Sequence, residues 1–94
     1  MKQLSITELT DWKSANKDFQ LVDVREVEEN EAYNIGGDLI PLGEIVRNKE
    51  KISQDKPVVF YCKRGIRSQI AIQKLERKFG WDNLYNLTGG ILNN

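Results

Sequence analysis

The stretch Pro57-Val58-Val59-Phe60-Tyr61 constrains the fold of this chain more than any other. Four consecutive apolar residues without polar alternation predict a strand buried on both faces, as in a parallel sheet with helices above and below it. Proline is acceptable at the first residue of such a strand. The best helix follows, over Arg67 to Phe79. There Ala71, Leu75 and Phe79 are spaced by four, Ile72 joins them at the i+3 step to Leu75, and Gly80 sits where a C-terminal cap belongs.

Around this pair the pattern alternates. Ser5 or Thr7 caps a first helix, with Glu8 in its first turn and Leu9 and Trp12 on one face. Gln20 to Val24 predicts a strand, apolar except for Asp23, and the acidic stretch Arg25 to Glu31 a short helix. Ile35-Gly36-Gly37-Asp38 signals a turn, and Leu39-Ile40 a strand of two or three residues. The spacing Leu42, Ile45, Val46, Lys49 predicts a short amphipathic helix. Leu84 to Leu87 gives a last strand, and Gly89-Gly90 a turn into a stub of helix. No repeat or linker divides the sequence, so residues 1–94 are expected to form a single α/β domain with a small central parallel sheet flanked by helices.

Composition narrows the function. Fourteen basic and fourteen acidic side chains cancel, which argues against a nucleic-acid or anionic-membrane partner recruited by bulk charge. No apolar run approaches bilayer length, and Met1-Lys2-Gln3-Leu4-Ser5 has no signal-peptide core, so a soluble cytoplasmic monomer is expected. A single cysteine excludes an intrachain disulfide. The absence of histidine excludes most zinc sites and every imidazole-activated nucleophile. Neither a metal nor an organic cofactor is called for.

The one cysteine, Cys62, ends the buried strand and is followed by Lys63-Arg64-Gly65-Ile66-Arg67-Ser68 before the helix. Ligands of open α/β sheets bind at the carboxyl ends of the strands. A short turn into a helix N-terminus aims several backbone N–H groups into one small space and adds the positive end of the helix dipole. Lys63, Arg64 and Arg67 add three formal charges within five residues of the sulfur. Together these predict a thiol ionising below its free value of about 8.5 and a cradle for an oxyanion beside it. Gly65 suits a positive φ or a close backbone approach. The plain alternative is a small buried hydrophobe closing a strand beside a solvated basic loop.

The chain resembles single-domain rhodaneses, sulfurtransferases that carry sulfur as a cysteine persulfide, over nearly its whole length. Leu21-Val22-Asp23-Val24-Arg25-Glu26 resembles the family's first core strand and its Asp-Val-Arg signature. Asn34 to Leu42 resembles its glycine turn and Ile-Pro segment, Val58 to Arg67 its active-site strand and loop, and Asn86 to Ile91 its closing glycine turn. The resemblance implies a rhodanese-like three-layer sandwich. It also implies ping-pong chemistry: the Cys62 thiolate takes the outer sulfur of a donor such as thiosulfate, sulfite leaves, and cyanide, a thiol or a sulfur-carrier protein accepts the sulfur. Backbone N–H groups of Lys63 to Ser68 would hold the charge, Lys63 and Arg64 would attract the donor, and Arg67 would shape the loop. Ser68 is expected to cap the helix rather than to donate to the sulfur. Four residues separate Cys62 from Arg67, one fewer than in the related phosphatases, which favours sulfur transfer over phosphatase activity; arsenate reduction, the other chemistry of this fold, is a less favoured alternative. A non-catalytic binding module is the other alternative.

Asp23 is expected to form a buried ion pair, with Arg25 or a loop arginine, rather than to act as a catalytic carboxylate. Glu26, Glu28, Glu29 and Glu31 predict a solvated acidic face or a docking patch, and Trp12 and Trp81 predict packing. Three features depart from the family pattern. Asn34 stands where many members have a histidine and Asn30 where an aromatic is common, both taken as changes of packing. Members usually continue past the last glycine turn into a helix with a tryptophan, whereas this sequence ends at Leu92-Asn93-Asn94, so a marginal helix and an uncovered edge are expected there.

Overall fold

A computed structural model of the chain describes residues 1–92. Five parallel strands form one sheet: β1 (Lys2–Leu4), β2 (Gln20–Asp23), β3 (Asp38–Leu39), β4 (Val58–Tyr61) and β5 (Leu84–Leu87), in the order β1-β5-β4-β2-β3. Three helices connect them: α1 (Ile6–Ser14), α2 (Val27–Ala32) and α3 (Ile66–Phe79). The expected three-layer α/β arrangement is what the structure shows.

β4 lies at the centre, in register with β2 (Val59 opposite Leu21, Tyr61 opposite Asp23) and with β5 (Phe60 opposite Asn86). Its side chains alternate between two cores, as the period of a strand requires. Val58, Phe60 and Cys62 join Ala71, Ile72 and Leu75 of α3 on one face. Val59 and Tyr61 join Leu4, Leu9, Leu21 and Leu87 on the other, where α1 packs. All four β4 residues are fully buried, which explains why its sequence does not alternate. Because every strand is parallel, all carboxyl ends meet at one edge of the sheet, where the loop after β4 begins.

Local signals account for most of the ends. Ser5 caps α1 in a reciprocal box: its hydroxyl accepts from the Glu8 N–H at 3.0 Å, and Glu8 accepts from the Ser5 N–H at 2.9 Å. Gly80 ends α3 in the left-handed region at φ +71°. Trp12 packs edge-on against Phe19 and Tyr85, and Trp81 stacks on Phe79.

Elsewhere the structure departs from the sequence reading: the acidic helix runs Val27–Ala32 rather than from Arg25, and the strand expected at Leu39-Ile40 is Asp38–Leu39. The first strand, β1, was not signalled, because three residues with one buried side chain carry no period. The helix expected from Leu42 is instead two 3₁₀ turns, Leu42–Glu44 and Lys49–Lys51. There the Glu44 N–H returns to the Pro41 carbonyl and the Ile45 N–H to Leu42, three residues back. Gly43 disfavours a longer helix, and burying Ile45 settles the geometry. α3 starts one residue earlier than expected, at Ile66. Finally, residues 88–92 form turns, while the rest of the expected terminal stub, Asn93 and Asn94, lies outside the described residues.

Candidate active site

The loop from β4 to α3 wraps around one sulfur atom. Cys62 is buried at 1% exposure. Its Sγ accepts from the Gly65 N–H at 3.1 Å and the Ser68 N–H at 3.4 Å, and lies 3.5 Å from the Ser68 hydroxyl. Gly65 is the residue just before α3, and its φ of +88° is one that side-chain-bearing residues rarely adopt. A glycine there has no side chain with which to cap the helix. The cysteine sulfur fills that role, accepting from the first turn as a capping oxygen would.

This overturns the expectation for Ser68. It is the third residue of α3, fully buried, and faces the sulfur instead of capping the helix. Of the expected sources of activation, the backbone N–H groups are the ones in contact with the sulfur. Burial pushes the thiol up, while the Ser68 hydroxyl and the backbone N–H groups of Ser68, Arg64 and Gly65 pull it down further, leaving it below the ordinary thiol range. Among the described residues the sulfur's hydrogen-bond partners are dipoles rather than the three cations.

The cations have separate positions. Lys63 and Arg64 are exposed, and with Cys62, Ile66 and Arg67 they line an open recess of about 180 Å³. Ile66 stands at the rim with 61% of its surface exposed. Arg67 turns toward α2 and makes a two-pronged ion pair with Glu29, at 2.7 and 2.9 Å. The two hydrogen bonds from Arg67 hold Glu29 down at about 2, against burial, with the Glu26 N–H assisting. Glu29 is therefore not part of a solvated face. Sequence reasoning missed it because four glutamates in six positions look alike until a partner selects one.

Asp23 and Arg25 lie beneath this clamp. The Asp23 carboxylate accepts from the Arg25 N–H and Nε at 3.0 Å each, from an Arg25 terminal nitrogen at 2.9 Å, and from Asn30 Nδ2 at 3.0 Å. With four donors and no exposure it is saturated, a structural anchor for the start of α2. Arg25 also donates to the Tyr33 carbonyl and lies over the Tyr61 ring, whose hydroxyl donates to the Gly36 carbonyl at 2.9 Å. Asn30 and Asn34 thus hold hydrogen bonds rather than only filling space: Asn34 accepts from the Gly36 N–H and donates to the Asn30 carbonyl.

Two further residues belong to the site. Gly90 (φ +64°) packs against the peptide after Cys62, where a Cβ would come within 2.5 Å of the Lys63 carbonyl oxygen. The following N–H, of Ile91, donates to the Cys62 carbonyl at 3.1 Å. Asn86 of β5 accepts a hydrogen bond from the Ser68 hydroxyl. Its signal was available, a polar residue near the carboxyl end of a buried strand, the same anomaly that singled out Asp23. Among the described residues no cluster of histidine, cysteine and carboxylate side chains could hold a metal ion.

A parallel sandwich with a cysteine loop closing onto a helix N-terminus defines a class, and the comparisons agree with it. The family model for the rhodanese-like domain matches residues 5–93, and the chain belongs to that family. It is 42% identical over 82 residues to YqhL of Bacillus subtilis, an uncharacterized protein of which it spans 64%. It is 33% identical to the thiosulfate sulfurtransferase GlpE of Coxiella burnetii, covering 97% of this chain and 86% of GlpE. Among solved structures, a rhodanese-like domain protein from Staphylococcus aureus superimposes with a TM-score of 0.86 at 29% identity, over 97% of this chain and 88% of that one.

Proposed function

We propose that this chain is a sulfurtransferase that carries a sulfane sulfur as a persulfide on Cys62. The observation that carries the reading is the sulfur of Cys62, a residue lining a small open recess, ringed by two backbone N–H groups and a hydroxyl. Such donors stabilise a thiolate before reaction and a negative persulfide after it, with little reorganisation between the two.

The step with thiosulfate runs as follows. The Cys62 thiolate attacks the outer sulfur, a new S–S bond forms, and the sulfur–sulfur bond of the donor breaks with its electron pair leaving on sulfite. A nucleophilic acceptor then attacks the terminal sulfur and the Cys62 thiolate departs. Cyanide serves as acceptor in an assay, and a thiol or a sulfur-carrier protein in the cell. Lys63 and Arg64 border the recess and attract an anionic donor. Arg67, held by Glu29, fixes the shape of the loop. The four-residue span from Cys62 to Arg67 supports sulfur transfer over phosphoryl transfer, which calls for a wider cradle.

Turnover of thiosulfate and cyanide to thiocyanate tests this. Wild-type protein is expected to turn over, with Cys62→Ser inactive and folded. A Cys62→Ser protein that makes thiocyanate at the wild-type rate would exclude the proposal, as would a wild-type protein inert toward every sulfane donor tried.

A further inference from the structure

Ser68 has one hydroxyl proton and two neighbours that can accept it, the Cys62 sulfur at 3.5 Å and the Asn86 side-chain oxygen. Both Ser68 and Asn86 are buried, so neither neighbour is replaced by water. Asn86 is oriented in turn. Its Nδ2 donates to the Gln3 side-chain oxygen at 3.0 Å across the β1–β5 pairing, and the Thr88 hydroxyl donates to the same oxygen at 3.0 Å. With its nitrogen engaged by Gln3, Asn86 presents its oxygen to Ser68 and, while the sulfur is protonated, accepts the hydrogen bond of its hydroxyl. The Ser68 oxygen then offers the sulfur a lone pair, which suits a protonated thiol and not a thiolate.

We propose that Asn86, held by Gln3, is a positioning residue that competes with the Cys62 sulfur for the hydroxyl proton of Ser68. The inference deepens the sulfurtransferase reading and rests on Cys62 as its reacting thiol. When the sulfur ionises, the hydroxyl turns to it and Asn86 loses a donor, so the polar chain from β1 opposes ionisation. Releasing Asn86 removes that opposition. In Gln3→Leu the amide turns over and donates its N–H to the Ser68 oxygen, whose hydroxyl then donates a hydrogen bond to the sulfur. In Asn86→Leu the sulfur becomes the only acceptor. The charged groups around the sulfur are unaltered in both variants: Lys63 and Arg64 of the loop, Arg67 of α3 and, through it, Glu29 of α2. β4 and β5 carry no charged residue.

The rate of alkylation by iodoacetamide against pH reads this directly, because Cys62 is the only thiol in the chain. Ser68→Ala is expected to raise the midpoint. Gln3→Leu and Asn86→Leu are expected to lower it by about half a unit to one unit, roughly three- to tenfold more thiolate below the midpoint. A merely structural role for Asn86 would move it the same way as Ser68→Ala. Gln3 is exposed on an edge strand, so Gln3→Leu decides the matter if Asn86→Leu does not fold. An unchanged or raised midpoint in either folded variant overturns the proposal. Thiocyanate formation measured on the same samples separates the two readings: an inactive wild type whose variants still shift the midpoint downward would sink sulfur transfer and leave this coupling standing.

Discussion

At the scale of single residues, the sulfur of Cys62 does two jobs, and the second makes the first measurable. It caps α3, and a thiolate caps better than a thiol because the first-turn N–H groups and the helix dipole favour negative charge. The thiol is therefore held below its ordinary range in the folded chain. A depressed folded value contributes stability that is fully present above the unfolded value of about 8.5 and lost as pH falls through the folded one. The stability gap between wild type and Cys62→Ala should thus widen as pH rises toward that range. Denaturant midpoints at several pH values check this, and a gap that narrows would contradict it. Below the site, Asp23→Asn breaks a buried pair and leaves Arg25 undercompensated, with an expected cost of about 3 kcal/mol in a chemical denaturation series. That pair was legible in the sequence from one acid in an apolar strand. The role of Ser68 was not, because a serine in a first turn looks like a cap until the sulfur is seen to fill that place.

Among elements, the connection that matters runs from α2 to the loop. Glu29 grips Arg67 with two hydrogen bonds although both side chains are one-third exposed. Its carboxyl, ordinarily near 4.5, is held at about 2. The sign follows from that direction: the pair stabilises fully above the ordinary value and fades as pH falls from there toward 2. Glu29→Gln should cost about 1–2 kcal/mol at neutral pH after allowance for solvent screening, with the difference from wild type closing in acid. Thermal melts of the two proteins across that range test it. Gly90 supports the same loop from the β5 side. Gly90→Ala combines a positive φ with a backbone clash and is expected to cost at least about 2 kcal/mol and to slow thiocyanate formation. Equal activity and stability in that variant would show that the turn does not brace the loop. α3, with its helical period, and β4, an unbroken apolar run, were legible in advance. β1 and the 3₁₀ turns were not, since pairing at the sheet edge and burial of Ile45 decide them, and neither leaves a periodic trace.

For the whole molecule, zero net charge hides a division of labour. The exposed loop cations stand at the carboxyl edge of the sheet, beside an acidic α2 from which one glutamate is committed to Arg67. The sandwich buries Cys62 in the α3-side core, and the same residue lines the recess between the loop cations. The absence of histidine, which sequence alone turns into a puzzle about activation, is answered by the fold. Parallel strands bring the sole thiol to a helix N-terminus, where N–H groups and a hydroxyl replace imidazole. Of the two expected sources of activation, the backbone N–H groups contact the sulfur, whereas Arg67 acts on it through space while its hydrogen bonds go to Glu29. The most direct test is the intact mass of the protein after incubation with thiosulfate. Wild-type chain should gain the mass of one sulfur atom, lose it on addition of cyanide, and show neither change as Cys62→Ser. A wild-type mass that stays constant under thiosulfate and every other sulfane donor would contradict the account.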